Sequence, residues 1–166
     1  MDKAVHNISP VYDKDSRILI LGSFPSVKSR ESKFFYGHPQ NRFWKMLARI
    51  FESNEPQTID EKKQLLLSNH LAVWDVIGSC EINGSSDSSI KNVVPNDLSL
   101  ILKEANIQRI ILNGGKAYDL FIKYTHSNLP ASASNMEIIK MPSTSPANAA
   151  WSLERLVNEW GKSLKE

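Results

Sequence analysis

Short apolar runs and helical apolar stripes alternate along the chain. Residues 17–21 form a β-branched-rich run stopped by Gly22, which predicts a buried strand. Residues 71–74 and 109–112 have the same character, and residues 137–141 predict a fourth strand. Between these runs the period changes. Residues 41–51 place Phe43, Leu47 and Ile50 or Phe51 on one side of a helix. Residues 60–69 predict a second helix with Asp60 as its N-cap. Residues 99–104 predict a third, and a fourth runs from the Asn113-Gly114-Gly115 turn through Lys123. Ser145-Pro146 has the form of a cap followed by a first helical residue. A last helix is expected from there, with Leu153, Leu156, Val157 and Trp160 as its buried stripe.

This alternation predicts an α/β domain with a mainly parallel sheet and helices on both faces. Ligands of such sheets bind beyond the carboxyl ends of the strands. Four places qualify: the segments that follow Gly22, Asp75, Asn113 and Pro142. The length of 166 residues suits one globular domain, with residues 1–16 read as an N-terminal extension. No apolar run approaches the roughly 20 residues of a membrane span. The first residues lack the apolar core of a signal peptide, so the cytoplasm is the expected compartment. Cys80 is the single cysteine, which excludes an internal disulfide and argues against an iron–sulfur or structural zinc site. The four histidines have no metal-ligand spacing. His6, His70 and His126 read as surface or structural residues. A formal net charge of +2 says little until the charges are placed.

Two of the four segments are unusual. The first runs from Gly22-Ser-Phe-Pro-Ser26 to Phe34-Phe-Tyr-Gly-His-Pro-Gln-Asn-Arg-Phe-Trp44. It is longer than common strand–helix connections. Between positions 28 and 45 it holds five bases (Lys28, Arg30, Lys33, Arg42, Lys45) against Glu31, a local net charge of +4, together with Phe34, Phe35 and Tyr36. Bases bind phosphates and aromatics stack on nucleobases, the mixture suited to an extruded nucleotide. A solvated basic loop with core aromatics has the same composition. The second is Met141-Pro-Ser-Thr-Ser-Pro-Ala-Asn148, small hydroxyl residues leading into the expected helix start, where free N–H groups and the helix dipole suit a phosphate. Asn113-Gly-Gly-Lys116 lacks the remainder of a P-loop. A Ser143/His38/Asp75 triad is conceivable by position, but no nucleophile elbow is present.

These two loops, in this order, resemble the signature loops of the uracil-DNA glycosylase superfamily. The branch they resemble most is that of the hypoxanthine-DNA (deoxyinosine) glycosylases, relatives of the mismatch-specific uracil/thymine enzymes. Residues 71–80, 87–92 and 111–117 resemble the same branch, so the likeness runs from about Arg17 to Trp160. The resemblance implies a three-layer α/β/α sandwich around a four-stranded parallel sheet. It also implies a monofunctional enzyme of base excision repair that flips a deaminated base out of DNA and hydrolyses its N-glycosidic bond, hypoxanthine first and uracil second. Neither metal nor cofactor is implied. A monomer is expected, since one flipped base needs one site.

One position departs from the pattern. Mismatch-specific relatives carry a catalytic Asn two residues after the leading Gly of the first loop, where this chain has Phe24. The hypoxanthine branch is similar in placing its key Asn later, which assigns Asn41 as the residue that orients the attacking water through its carbonyl. Backbone and side-chain groups of Ser23, Phe24, His38 and Asn113 are expected around the base, with Tyr36 stacked on it. Ser26, Lys116, Ser143, Thr144, Ser145, Pro146 and Asn148 are expected to hold phosphates or fill the gap in the helix. Phe43 and Trp44 read as core. A damage-binding module without chemistry, or less favourably a small serine hydrolase, are the competing classes.

Overall fold

The computed structural model describes residues 2–133 and 135–165. Its elements in chain order are β1 (Asp2–Val5), β2 (Ile18–Gly22), α1 (Val27–Ser32), α2 (Phe43–Ile50), α3 (Ile59–Ser68), β3 (Leu71–Asp75), β4 (Ile77–Ile82), β5 (Lys91–Pro95), α4 (Ser99–Glu104), β6 (Arg109–Asn113), α5 (Gly115–Tyr124), β7 (Glu137–Met141) and α6 (Leu153–Leu164). The central sheet has the order β3-β2-β6-β7, and each pairing is parallel. β2, β3 and β6 alternate between two buried faces, as strands covered on both sides must, whereas the edge strand β7 fully buries only Met141. Ile18 and Ile20 of β2 face a core built with α2, α3 and α6, while Leu19 and Leu21 face one built with α4 and α5. The three-layer α/β/α arrangement follows.

Some expectations need correction. A second sheet, β1-β4-β5, is antiparallel throughout and was not foreseen. Its strands alternate weakly: β5 buries none of its residues fully, so it leaves little apolar signature. Residues 2–16 are not a mere extension. Ala4, Ile8 and Val11 are buried, and Val11 exchanges backbone hydrogen bonds with Val73 at 3.0 and 2.9 Å. The second expected helix is capped by Thr58, not Asp60. Thr58 accepts from the Glu61 N–H while Glu61 reaches back to the Thr58 N–H, a reciprocal pair that satisfies two helix-end donors.

The last helix begins at Leu153 with Ser152 as its cap, not at Ser145-Pro146. The intervening residues turn on themselves instead. The Asn148 side chain donates to the Ser143 carbonyl (3.0 Å), and the Trp151 N–H to the Asn148 carbonyl (3.2 Å). Leu156 and Trp160 are buried as expected, and Leu153 and Val157 pack at the edge of the same core.

The carboxyl ends of three strands form a row. Asp75 of β3 pairs with Gly22 of β2, and Leu21 pairs with Leu112 one residue before Asn113 of β6. Two strand spacings, about 10 Å, therefore separate Asp75 from Asn113, with a glycine between them.

Candidate active site

Above that row lies a cavity of about 310 Å³, lined by both unusual loops and by Asp75. A volume of this size is at the lower end of small-ligand sites. Of the expected residues, Ser23, Phe24, Ser26, Tyr36, His38, Asn41, Asn113, Ser143, Thr144, Ser145 and Pro146 line it. Lys116 and Asn148 do not; Asn148 lines the shallower depression beside it.

One wall is a hydrogen-bonded chain that ties the two loops together. The Thr144 hydroxyl donates to Asn41 Oδ1 (2.8 Å) and accepts from Asn113 Nδ2 (3.1 Å). The Thr144 N–H donates to Asn113 Oδ1 (3.1 Å). Asn41 Oδ1 also accepts the Phe43 N–H (3.0 Å) at the start of α2. Two donors therefore already occupy the carbonyl expected to hold a water. The end of Asn41 left without a partner among the described residues is its N–H2 group. A free amide N–H2 offers donors to the cavity, not an acceptor. Thr144 is fully buried at the centre of this chain, so it cannot grip a phosphate, contrary to expectation. Gly114 lets the second loop come close: at φ 101° it adopts a backbone that favours glycine, and a Cβ there would lie 3.0 Å from the Ser143 Cβ.

Ser143 and Ser145 keep their hydroxyls busy locally, accepting the N–H groups of Ser145 and Ala147 at 3.1 and 3.2 Å. Because α6 starts at Leu153, no helix dipole supports a phosphate at these serines. Ser26 caps α1 by accepting the Ser29 N–H. Arg42, counted above among the phosphate-binding bases, turns inward. Its guanidinium donates to the carbonyls of Ser145 (2.8 Å), Asn148 (3.2 Å) and Trp151, pinning the second loop from below. Arg30 likewise donates to the Gly84 carbonyl and lies 5.4 Å over the Phe24 ring. Lys28, Lys33 and Lys45 remain exposed. Part of the local positive charge is thus structural.

The opposite wall holds a pair that sequence reasoning missed. The His6 ring donates to Asp75 at 2.8 Å, with both side chains almost fully buried. The Ile8 N–H donates to His6 Nδ1 (3.2 Å), so the ring proton is on Nε2, directed at the carboxylate. Nothing local marks His6: it lies 69 residues from Asp75 and reaches it only because β1 pairs with β4. The imagined Ser143/His38/Asp75 triad is not assembled, since Asp75 pairs with His6. His38 Nδ1 instead accepts the Gln40 N–H (3.1 Å), which leaves its Nε2–H for the cavity.

Tyr36 sits between the walls. Its backbone is left-handed (φ 52°), an uncommon state for a residue with a side chain. Its ring stacks on Phe43 with centroids 4.1 Å apart, so one face is already covered. Its hydroxyl is buried without a hydrogen-bond partner, and a Cβ added at Gly22 would lie 3.0 Å from it and 2.5 Å from Asp75 Oδ1. Burial and then the Asp75 charge push the Tyr36 phenol well above its ordinary range. The Asn113 amide pulls slightly the other way but is not in hydrogen-bonding geometry. Phe43 and Trp44 are core, as expected. Asp87, also unforeseen, lines the rim and accepts from the Ser23 hydroxyl (3.1 Å).

A family model described as the uracil DNA glycosylase superfamily matches residues 9–165. A protein of Methanosarcina acetivorans named hypoxanthine DNA glycosylase is 34% identical over 155 residues, 90% of this chain and 91% of its own. Another of that name from Methanosarcina barkeri is 35% identical over 111 residues, 65% of this chain and 70% of its own. A solution NMR structure from Methanosarcina acetivorans, assigned provisionally as a uracil DNA glycosylase, superposes with a TM-score of 0.78 at 29% identity. It covers 96% of this chain and 97% of its own.

Proposed function

The chain belongs to the uracil DNA glycosylase superfamily, and from that premise we propose that it excises deaminated bases from DNA, hypoxanthine in preference to uracil. It is a DNA glycosylase, a hydrolase of N-glycosyl bonds. The preference is the finer step. It is supported by the two relatives named for hypoxanthine and by a cavity of about 310 Å³ whose two polar walls stand two strands apart. The reaction is taken to be monofunctional: water adds its oxygen to C1′, the base departs with the bonding electrons, one of the water's protons stays on the new C1′ hydroxyl, and the other passes to the base, directly or through solvent.

The observation that carries this reading is the Asn41–Thr144–Asn113 chain, which holds one fixed amide N–H2 at the cavity wall. Excision develops cationic character at the sugar and negative charge on the base. No strong general base is needed if water is captured late by an electron-poor carbon. Asn41 donates to the water oxygen and leaves its second lone pair free for C1′, so the gain is positional. The His38 Nε2–H is a further donor for the departing base. The exposed Lys28, Lys33 and Lys45 remain available for DNA phosphates, and one copy of the chain suffices.

Duplexes holding hypoxanthine, uracil, xanthine or a thymine mismatch opposite each normal base, treated with protein and then alkali, test the reading. Strand scission at hypoxanthine first and uracil second is expected. Retardation of damaged duplex without an abasic product would instead mark a binding module. Asn41→Ala is expected to lose most turnover while still binding DNA; full activity in that variant would remove Asn41 from the mechanism.

A further inference from the structure

Hydrolytic deamination changes a base in one place. A ring nitrogen that offered a lone pair beside an amino group becomes an N–H beside a carbonyl. Hypoxanthine differs from adenine in this way, and uracil from cytosine. A site that reads the change needs a fixed acceptor for the ring N–H and a donor for the new carbonyl.

The wall opposite Asn41 holds both. Asp75 is almost fully buried, and its Oδ2 is taken by His6. None of the described residues donates to Oδ1, which sits above Gly22. The Tyr36 hydroxyl reaches the same spot and lacks a partner. A carboxylate is acceptor-only, while a phenol adapts as donor or acceptor. Without a Cβ, Gly22 lets both groups approach its backbone closely, at 2.5 Å and 3.0 Å from where a Cβ would lie. From the row of strand ends, a base whose sugar end lies by Asn41 extends across Gly22 toward Asp75.

Resting on the glycosylase reading above, we propose that Asp75 Oδ1 accepts the ring N–H of the flipped base and the Tyr36 hydroxyl donates to its adjacent carbonyl, so that this pair recognises the deaminated state itself. His6 is the positioning residue: its Nε2–H fixes the carboxylate so that Oδ1 faces the cavity. Adenine would set the lone pair of N1 against a carboxylate, which repels it. Guanine and thymine carry the same N–H and carbonyl as hypoxanthine and uracil, so the pair separates each deaminated base from its parent, and other contacts reject the normal lactam bases. Burial keeps Tyr36 protonated and therefore able to donate.

The test compares single-turnover excision of hypoxanthine with that of 1-deazahypoxanthine, in which the ring N–H is a C–H. A hydrogen bond to a charged group predicts that the unmodified enzyme cleaves the analogue about 10-fold to 100-fold more slowly. Equal rates would overturn the proposal without any variant being made. In Asp75→Asn, the amide turns an N–H toward the base, and the two substrates are expected to be cut within about twofold of each other. Retention of the wild-type ratio would assign Asp75 to another role. His6→Gln, which keeps an N–H donor, should preserve the ratio, whereas His6→Phe should reduce it; identical ratios in both would show that His6 does not position the carboxylate. An unmodified protein that cuts neither hypoxanthine nor uracil would overturn the glycosylase reading instead, so the two failures are distinguishable.

Discussion

Thr144→Val removes one hydroxyl and almost nothing else. Valine fills the same volume, so the fully buried methyl packing is retained. What disappears is the hydrogen bond to Asn41 Oδ1 (2.8 Å) and the one from Asn113 Nδ2 (3.1 Å). At about 1 kcal/mol net for each, the loss is about 2 kcal/mol. For a chain of this length that lowers the melting temperature by about 4–8 °C. Function should suffer more than stability. Asn41 keeps its bond to the Phe43 N–H but loses the anchor that fixes its amide plane against the second loop. A misplacement of about 1 Å costs about 100-fold in such a step, so kcat should fall tenfold or more while DNA affinity changes little. Thermal denaturation and single-turnover excision of a hypoxanthine duplex measure the two effects. Thr144→Ser, which restores the hydroxyl, should recover most of the rate. A valine variant with wild-type melting and wild-type kcat would refute the idea that the chain positions Asn41.

Gly22→Ala should be severe, because its Cβ would fall 2.5 Å from Asp75 Oδ1; overpacking of about 1–3 kcal/mol and loss of excision are expected in denaturation and cleavage assays. Tyr36→Phe should leave neutral-pH stability unchanged or slightly higher, since it removes a buried hydroxyl without a partner. It should also ease alkaline destabilisation. The unfolded chain ionises Tyr36 at the ordinary 10.0 while the fold keeps the proton, so wild-type stability falls as pH rises above that value; urea titrations from pH 8 to 11 would read the difference. Ser152→Ala should cost about 1 kcal/mol as the true cap of α6, whereas Ser145→Ala should leave α6 melting unchanged. Arg42→Met frees the carbonyls of Ser145, Asn148 and Trp151; limited proteolysis should then cut within residues 143–151, and an uncut loop would deny Arg42 that role.

Most of the central sheet was legible because β2, β3 and β6 are short apolar runs buried on both faces, a pattern that needs no partner to be read. Residues 137–141 match β7 without adjustment. The small sheet was not legible, since β1 and β5 are half exposed and acquire their meaning only by pairing with β4. The site divides in the same way. Residues on the two loops came to the cavity because loops at strand ends converge by topology. Asp75 was placed at a strand end, but its pairing with His6 was missed because it is a contact across 69 residues, which composition and spacing do not encode. The start of α6 was misplaced because Ser145-Pro146 satisfies local cap chemistry, yet Arg42 claims the carbonyls that a helix from there would use. Charge misled in a similar way: Arg30 and Arg42 were counted for the DNA and are spent on backbone carbonyls.

The pairing of β1 with β4 has a consequence for the order of events during synthesis. Residues 2–8 emerge from the ribosome well before Asp75 and the strand that receives them. At about 5–20 residues per second, the 69 residues between His6 and Asp75 take several seconds to appear. For that interval β1 lacks the strand it pairs with, although the entropy of closing so long a loop rises only slowly with its length. The wall that holds Asp75 can be completed once β4 has emerged, before Asn113 and residues 143–147 of the cavity are made. A nascent chain that has paired β2 with β3 already contains His6, but the strand that docks it against the carboxylate, β4, is still to come.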